Sequence, residues 1–489
     1  MRLLVPPLAG GLVALGQAPW GLWPLALVAW VVGLDALARS PRPFRAGMAF
    51  GAAHFGLALI WITEPFLIDA AVTAWLAPIA LAGVAFGFGL FWAVAAWAGR
   101  RWLGGAVGIA VAIAGGELLR SYILSGFPWA LPGHILIASP ALPAASLIGA
   151  HGLGLAVLLG AGLIASRRPA VVALGVALWA VPFGLGLSLS PAPQAAADAP
   201  VIRLIQPNAP QHLKWDAAWM GTFWRQGLAE TAAAPTGPDP AAVLWPETAL
   251  PELLRYADDL RPILSSAAGG VPVLIGAQRY GDDRRPRNTS VLLTGDAGEV
   301  AAIYDKHRLV PFGEFLPFPA FFDAVGLGPL SAQLAGGYQP GDGPVLLDMP
   351  GIGPVLPLIC YEAIFPQLLR ATDRPRVILH LTNDAWFGTG IGPQQHLALA
   401  RLRAAESGLP LMRAANTGIS AVIDARGQVL QSLPMGVHGH LDAALPPALA
   451  APLYQKTGDW AALIVLLLLG IALSWRHRAI VVEPTPKAP

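Results

Sequence analysis

The stretch PVLPLICYEAIFP, residues 354–366, contains the only cysteine among the 489 residues of the chain. An apolar run of strand length precedes Cys360, and Tyr361 and Glu362 follow it. A thiol at the end of a buried strand lies at the edge of a sheet, where the N-terminal amides of a following helix lower its pKa and make it nucleophilic. The alternative is an inert thiol, because free cysteine is among the most buried residue types. Taken alone, the segment favours the inert thiol.

The composition is that of a membrane protein. Hydrophobic residues make up 55% of the chain and charged residues only 12%, whereas soluble domains average about 25% charged residues. The mean hydropathy is +0.57. A single cysteine excludes an intrachain disulfide and a cysteine-rich metal site. The formal net charge of +2 is too small to indicate a nucleic-acid partner, and none is predicted.

Eight apolar segments have lengths near the roughly 20 residues that a helix needs to cross a bilayer. They lie at residues 3–17, 20–38, 47–66, 72–98, 102–123, 143–165, 170–189 and 460–475. The first segment also has the length of the hydrophobic part of a signal peptide. Because further apolar segments follow it at once, we interpret it as a retained helix.

The basic residues around these segments predict the orientation of the chain. They cluster at the N-terminus and after the second, fourth, sixth and eighth segments. The members of these clusters are Arg2, Arg39, Arg42, Arg45, Arg100, Arg101, Arg167, Arg168, Arg476, His477 and Arg478. Cytoplasmic loops carry an excess of Lys and Arg. The N-terminus is therefore predicted to be cytoplasmic, and the chain between the seventh and eighth segments is predicted to lie on the opposite side.

Five regions follow from these patterns. Residues 1–190 are predicted to form a transmembrane domain of about seven helices, 191–199 a linker, 200–450 a globular domain, 451–478 a C-terminal transmembrane helix and 479–489 a cytoplasmic tail. In the globular domain, short runs rich in Val, Ile and Leu alternate with segments of helical length. Such alternation predicts an α/β fold in which helices cover a sheet.

A proline- and glycine-rich stretch at residues 311–345 predicts a long loop. Long loops within compact domains are usually functional or disordered. This loop carries the five phenylalanines Phe312, Phe315, Phe318, Phe321 and Phe322. Their rings either pack on the core of the domain or enter the lipid interface. In the second case Phe318, Phe321 and Phe322 are candidate contacts to a lipid substrate.

Three residues that each follow an apolar run form a chemically coherent set. Acyl transfer through a thioester needs a base, a nucleophile and a cation for the developing oxyanion. Glu247 is the candidate base, Cys360 the nucleophile and Lys306 the oxyanion stabiliser. Successive members are 59 and 54 positions apart in the sequence, so only a fold can bring them together.

No metal, nucleotide or other cofactor is predicted. His380 and His396 lack a metal-ligand pattern such as HExxH, and we interpret them as structural histidines with satisfied hydrogen bonds. The sequence also lacks a glycine motif of the kind that binds phosphate.

Three strings carry a resemblance to a known family. WPE at residues 245–247, KHRLVPFGE at 306–314 and CYE at 360–362 resemble the nitrilase (carbon-nitrogen hydrolase) superfamily with its Glu-Lys-Cys triad. Membership of that superfamily implies an αββα sandwich in the globular domain. It also implies that Glu247, Lys306 and Cys360 act together.

Further strings resemble the apolipoprotein N-acyltransferase family within that superfamily. They are QPNAPQHLKW at 206–215, TNDAWFG at 382–388, GPQQH at 392–396, RAANTGISAVI at 413–423 and KTGDW at 456–460. The family also places eight spans around an external nitrilase-like domain, so the resemblance covers essentially the whole chain.

The resemblance implies a ping-pong reaction at Cys360. The thiol takes an acyl chain from the sn-1 ester of a phospholipid, typically phosphatidylethanolamine, and forms a thioester. The α-amino group of an S-diacylglyceryl cysteine at a lipoprotein N-terminus then accepts the chain. The resemblance further implies a multi-pass protein of the bacterial inner membrane with its catalytic domain on the periplasmic side. We expect a monomer.

Five more residues match positions of importance in the family. Glu314, Tyr361 and Glu362 carry over as supporting residues of the site, and Trp215 and Gly126 as substrate-binding residues of the globular and membrane parts. Simpler interpretations stay open: hydrogen-bonded carboxylates for the two glutamates, a core anchor for Trp215 and a turn for Gly126.

Two other functions compete with acyl transfer. One is a membrane-anchored amidase or hydrolase of the nitrilase type that uses water as the acceptor. The other is a transporter or scaffold whose globular domain only binds.

Overall fold

The computed structural model describes residues 3–189, 191–324 and 337–482. The chain divides into two compact units. Residues 1–190 and 452–489 form one of them, and residues 191–451 form the other.

The first unit is helical. Its α-helices are Val5–Ala14, Trp23–Arg39, Pro43–Ala58, Ala70–Thr73, Ala77–Ala98, Gly105–Tyr122, Ala145–Ile164, Pro169–Leu189, Leu453–Thr457 and Trp460–Val482. Among the described residues, four helical stretches are long and apolar enough to cross a membrane, namely Ala70–Leu103, Leu142–Ile164, Pro169–Leu189 and Trp460–Ala479. Pro43–Ala58 and Ile60–Leu67, bent by 48°, add a fifth if they form one span.

These helices support a polytopic membrane domain, but the predicted count of eight spans is not confirmed. Helices also occupy the predicted spans 20–38 and 102–123, yet they are Trp23–Arg39 and Gly105–Tyr122, with 17 and 18 residues. Each carries an acidic and a basic residue, which lowers its apolar character. Arg2, a member of the predicted N-terminal basic cluster, lies outside the described residues.

A buried ion pair lies among the helices of this unit. Arg120 pairs with Glu117 one turn earlier, and both side chains are almost fully buried. Arg120 also donates to the carbonyl oxygens of Phe127 and Trp129. Buried charged groups are costly unless they are paired. The pair thereby fixes the turn that contains Gly126, whose φ of 72° suits glycine.

The second unit contains two six-stranded sheets. Its strands are β1 (Val201–Gln206), β2 (Pro240–Leu244), β3 (Val273–Tyr280), β4 (Pro286–Thr294), β5 (Glu299–Asp305), β6 (Leu347–Met349), β7 (Gly353–Ile359), β8 (Val377–Thr382), β9 (Leu411–Ala415), β10 (Ser420–Ile423), β11 (Val429–Leu433) and β12 (Gly439–Ala444). The strand orders are β12-β1-β2-β3-β4-β5 and β11-β10-β9-β8-β7-β6. Among the residues that the structure describes, the α-helices of this unit are Met220–Thr231, Leu260–Ala267, Pro319–Ala324 and Gly392–Ser407.

The two sheets pack face to face through a buried aliphatic core. Leu204 and Leu244 of the first sheet belong to the same core cluster as Leu379, Leu381 and Met412 of the second. Successive side chains of a strand point to opposite faces. The central strands β1, β8 and β9 are buried along their whole length because each sheet is also covered on its outer side.

Helices provide that outer cover. Val243 and Trp245 flank Leu244 in sequence and pack instead with Trp224 of helix Met220–Thr231. On the second sheet, helix Gly392–Ser407 contacts β9. The layers run helix, sheet, sheet, helix, which confirms the predicted α/β sandwich.

Candidate active site

The three candidate catalytic residues follow the carboxyl ends of strands. Glu247 comes shortly after β2, Lys306 directly after β5 and Cys360 directly after β7. The pairing of β2 through β5 makes β2 and β5 run in the same direction, so Glu247 and Lys306 reach the same edge of the first sheet. Cys360 comes from the sheet that faces it.

Lys306 is a buried cation held between two carboxylates. Its Nζ lies 2.8 Å from Glu314 Oε1 and 3.3 Å from Glu247 Oε1, and its side chain is 1% exposed. Burial by itself lowers the pKa of Lys306. The carboxylates of Glu314 and Glu247 outweigh burial and raise that pKa well above its usual value. Lys306 is therefore a permanent positive charge.

Glu247 is fixed by donors on both of its oxygens. Asn288 Nδ2 donates to Oε1 at 2.7 Å, and the backbone N–H of Asn383 donates to Oε2 at 2.9 Å. Asn288 also donates to Glu314 at 3.1 Å. Neither asparagine was identified from the sequence. Asn288 lies near the start of strand β4, and Asn383 directly follows strand β8. A polar residue at the carboxyl end of a buried strand was the available signal for Asn383 alone.

Cys360 has an unusual backbone conformation. Its φ is 51°, in the left-handed region that residues other than glycine seldom adopt. A residue held there costs on the order of 1–3 kcal/mol and persists only where its surroundings impose it. The side chain is almost fully buried, with 5% of the residue exposed. The position of the thiol at the end of a strand agrees with the sequence analysis.

The sequence predicted a lowered pKa for the thiol, and this direction was wrong. Burial raises the pKa of Cys360, and the carboxylate of Glu247 raises it further, while Lys306 lowers it. The segment after β7 is a five-residue 3-10 turn, Cys360–Ile364, rather than an α-helix. Since so short a turn has little dipole, desolvation and the nearby carboxylate decide the pKa. The thiol is protonated at rest and needs a base.

Alkylation of the protein should show this raised pKa directly. Between pH 6 and pH 9 the rate with iodoacetamide is expected to rise about tenfold per pH unit without a plateau, because only the thiolate reacts. A short cysteine peptide, measured in parallel, should level off near its ordinary pKa of about 8.5. The chain has no second thiol, so the signal is unambiguous. A plateau below pH 8 in the protein would contradict the assignment.

Glu362 connects the segment around Lys306 with the segment around Cys360 through hydrogen bonds. Its Oε1 accepts from the Tyr304 hydroxyl at 2.6 Å and from the backbone N–H of His307 at 2.8 Å. Its Oε2 accepts from the backbone N–H of Ile359 at 2.8 Å. Burial raises the pKa of Glu362 despite these bonds. This carboxyl group therefore fixes the residues next to Lys306 and Cys360.

The other two predicted supporting residues differ in kind. Glu314 contacts Lys306 directly and also accepts from the backbone N–H of Val310 at 2.8 Å. Tyr361 is 97% buried and packs edge-on against Phe365, with ring centroids 5.1 Å apart. Glu314 thus acts on the charge of the site, and Tyr361 on its packing.

Two histidines hold the carbonyl oxygen of Cys360. Nε2 of His380 lies 3.0 Å from that oxygen and Nε2 of His396 lies 3.1 Å from it. Arg413 donates to Nδ1 of His380 at 2.8 Å, so His380 carries its own proton on Nε2 and donates to Cys360. Burial and the charge of Arg413 lower the pKa of His380 well below its usual value, in agreement with this neutral form.

Asp384 joins His396 and Arg413 in one hydrogen-bonded group. Its Oδ1 accepts from the Thr382 hydroxyl and contacts His396 Nδ1, each at 2.9 Å. Its Oδ2 accepts from Arg413. We call Asp384, His396, Arg413 and His380 the Asp384 cluster, and all four are fully buried. The structural role expected for the histidines includes a contact to the nucleophile that the sequence did not reveal.

The remaining predicted residues lie apart from these contacts. Trp215 is 43% exposed and lines a cleft, which argues against a core anchor. Phe318 is 61% exposed. The side chains of Phe321 and Phe322 lie outside the described part of the chain. Gly126 belongs to the membrane unit, so its predicted role in substrate binding stays a prediction.

Comparisons with known proteins agree with this architecture. Residues 9–163 match the apolipoprotein N-acyltransferase N-terminal domain family, and residues 239–455 match the carbon-nitrogen hydrolase family. An apolipoprotein N-acyltransferase from Rhodopseudomonas palustris is 36% identical, with 98% of this chain and 95% of the relative covered. One from Caulobacter vibrioides is 38% identical, with 95% and 92% covered. A solved amidase from Nesterenkonia sp. is 20% identical, with a TM-score of 0.35 and coverage of 56% of this chain and 98% of the amidase.

Proposed function

The chain belongs to the apolipoprotein N-acyltransferase family, and we propose that it N-acylates lipoproteins through a thioester on Cys360. The observation that supports this site most strongly is the buried Lys306 between Glu247 and Glu314, whose charge acts on the only thiol of the chain. A base, a permanent cation and a protonated nucleophile are the groups that acyl transfer needs.

In the first half-reaction, Glu247 takes the proton of the Cys360 thiol as Sγ attacks the carbonyl carbon of the sn-1 ester of a phospholipid. The charge of Lys306 stabilises the oxyanion that forms. The bond from the carbonyl carbon to the glycerol oxygen then breaks. Glu247 returns its proton to that oxygen, which leaves a lysophospholipid and an acyl thioester.

In the second half-reaction, the α-amino group of a diacylglyceryl cysteine attacks the thioester carbon. Glu247 removes a proton from the nitrogen and passes it to the departing Sγ, so the amide forms and the thiol is restored. All of these proposed steps use side chains of one chain, so the proposed reaction calls for neither a second subunit nor a cofactor.

A membrane location follows from the same chemistry. Both substrates are anchored by acyl chains, and extracting a chain into water costs about 0.8 kcal/mol per CH₂. We propose that the second unit lies on the periplasmic side of the bacterial inner membrane and that the N-terminus is cytoplasmic. A cysteine introduced at residues 282–287 in a Cys360-free background should react with an impermeant reagent in intact cells. Reaction only after lysis would reverse the orientation.

The decisive assay combines the purified full-length protein with phosphatidylethanolamine and a diacylglyceryl peptide. The expected products are N-acyl peptide and lysophospholipid, together with an acyl adduct on Cys360 before the peptide is added. Release of fatty acid without N-acyl peptide would favour the hydrolase alternative. Uptake or binding without either product would favour a scaffold.

The phenylalanine-bearing loop offers a test of lipid contact. Phe318→Ser is expected to lower turnover of phospholipid vesicles about 3- to 10-fold, because an exposed ring that enters lipid contributes ~1 kcal/mol. Turnover of a soluble short-chain ester should stay within twofold. Tyr256, which is 60% exposed outside the loop, supplies the matched control Tyr256→Ser. Equal losses on both substrates would contradict a lipid-facing role of Phe318.

A further inference from the structure

A second buried lysine lies beside the site, and the mechanism above does not use it. Lys214 is only 7% exposed. Its Nζ donates to the Thr248 hydroxyl at 2.7 Å and to the backbone oxygen of Glu247 at 3.2 Å. Its ammonium lies 5.4 Å from the centre of the Trp215 ring. No carboxylate oxygen of the described residues lies within 4 Å of it, in contrast to Lys306 with its two carboxylates.

An unpaired buried ammonium is uncommon, because lysine is almost never fully buried unless it is paired. Two of its three N–H groups have partners among the described residues, which leaves one donor for a ligand. Burial lowers the pKa of Lys214 to about 8. The charge is therefore present at neutral pH but has no direct counter-charge.

Lys214, with its free N–H group, lines a cleft that the catalytic base Glu247 also lines. Its other walls are mainly apolar, with the aromatic rings of Trp215, Phe223 and Trp245 among them. The cleft is narrow, with a cavity volume of about 30 Å³, and it opens to solvent. A mainly apolar cleft that holds one cation next to the catalytic carboxylate fits a ligand that joins an anionic group and a reacting ester to a hydrophobic body.

We infer that Lys214 binds the phosphate of the phospholipid donor and thereby places the sn-1 ester at Cys360. The inference rests on the proposed function. Only the glycerol backbone separates the phosphate from the ester in that substrate, so a phosphate bound by Lys214, which contacts the backbone of Glu247, keeps the ester close to the catalytic base. The acceptor brings an amino group instead, which a lysine does not attract. Lys214 is thus a binding residue for the first half-reaction.

The test compares two donors that share their acyl chains. Phosphatidylethanolamine carries a phosphate, and the matching diacylglycerol presents the same sn-1 ester without one. Formation of the acyl adduct on Cys360 is followed by mass spectrometry for the full-length wild type, Lys214→Gln and Lys214→Arg. Gln keeps a donor for the Glu247 carbonyl but loses the charge. Arg keeps the charge.

Lys214→Gln is expected to lower kcat/KM for the phospholipid at least tenfold, mainly through KM, and to leave diacylglycerol within twofold. Lys214→Arg should restore most of the loss. Equal losses on both donors, or no loss on either, would overturn the assignment. A wild type that forms no adduct with either donor refutes the proposed function instead, so the two failures are distinguishable.

Two further measurements on the wild type keep the inference testable if Lys214→Gln does not fold. The ratio of kcat/KM for phospholipid to that for diacylglycerol should fall as pH rises from 7 to 9, since neutral Lys214 no longer attracts phosphate. Glu247 and Cys360, the ionisable groups that face it, act on both donors and cancel in the ratio. A constant ratio contradicts the inference. Competitive inhibition by millimolar inorganic phosphate would assign the cleft to a free anion instead.

Discussion

Replacing Cys360 with Ala is expected to abolish both the acyl adduct and N-acyl transfer, with a loss of about 10⁴-fold or more in kcat. Without Sγ the phospholipid ester has no nucleophile, and Glu247 and Lys306 cannot form a thioester by themselves. The adduct is measured by intact-protein mass spectrometry after incubation with phosphatidylethanolamine. N-acyl peptide is measured after addition of the acceptor.

The stability of this variant separates chemistry from folding. Cys360 is buried, so its truncation to Ala is expected to cost only about 1 kcal/mol in the free energy of unfolding. Cys360→Ser provides a matched control, since it keeps the side-chain size but places a weak nucleophile at the site. An adduct that persists on Cys360→Ala would show that another residue carries the acyl chain.

The sequence predicted the layers of the second unit because its strands are short, apolar and separated by segments of helical length. The strand at residues 353–359 and the cysteine after it form a local pattern that the order of the residues alone can reveal. Glu247 and Lys306 were found because each follows such a run, and the resemblance then joined them. These features depend only on residues that lie close together in the sequence.

Features that depend on distant contacts were not predicted. The carbonyl of Cys360 is held by His380 and His396, which lie 20 and 36 residues away. No periodicity connects a histidine on strand β8 with one on a helix. The predicted direction of the shift in the pKa of Cys360 was wrong for the same reason, because burial and the position of Glu247 are properties of the folded site.

The predicted number of spans is not confirmed. Hydropathy identified apolar segments, but helix length and bending are set by packing between helices. The segment at residues 47–66 is the clearest example, since it contains two helices bent by 48° rather than one straight span.

The Asp384 cluster carries the largest expected effect on stability. Burial by itself raises the pKa of Asp384, but Arg413 and His396 outweigh it and hold that pKa well below its usual value. The carboxylate is therefore ionised at neutral pH and compensates the fully buried Arg413. Asp384→Asn is expected to lower the free energy of unfolding by ~3–5 kcal/mol, because it leaves a buried guanidinium without its counter-charge.

A second buried pair on the same unit separates this loss of stability from an effect on the nucleophile. Asp442 accepts from Arg203 Nε at 2.7 Å and from Nη2 at 2.8 Å, between strands β12 and β1. Asp442→Asn should cost a similar free energy and leave kcat per folded molecule unchanged. Asp384→Asn should lower kcat as well, with KM for the donor unchanged, because His396 no longer fixes the carbonyl of Cys360 and with it the strained backbone that aims the thiol. Equal kcat values for the two folded variants would show that the Asp384 cluster stabilises the fold without acting on the nucleophile.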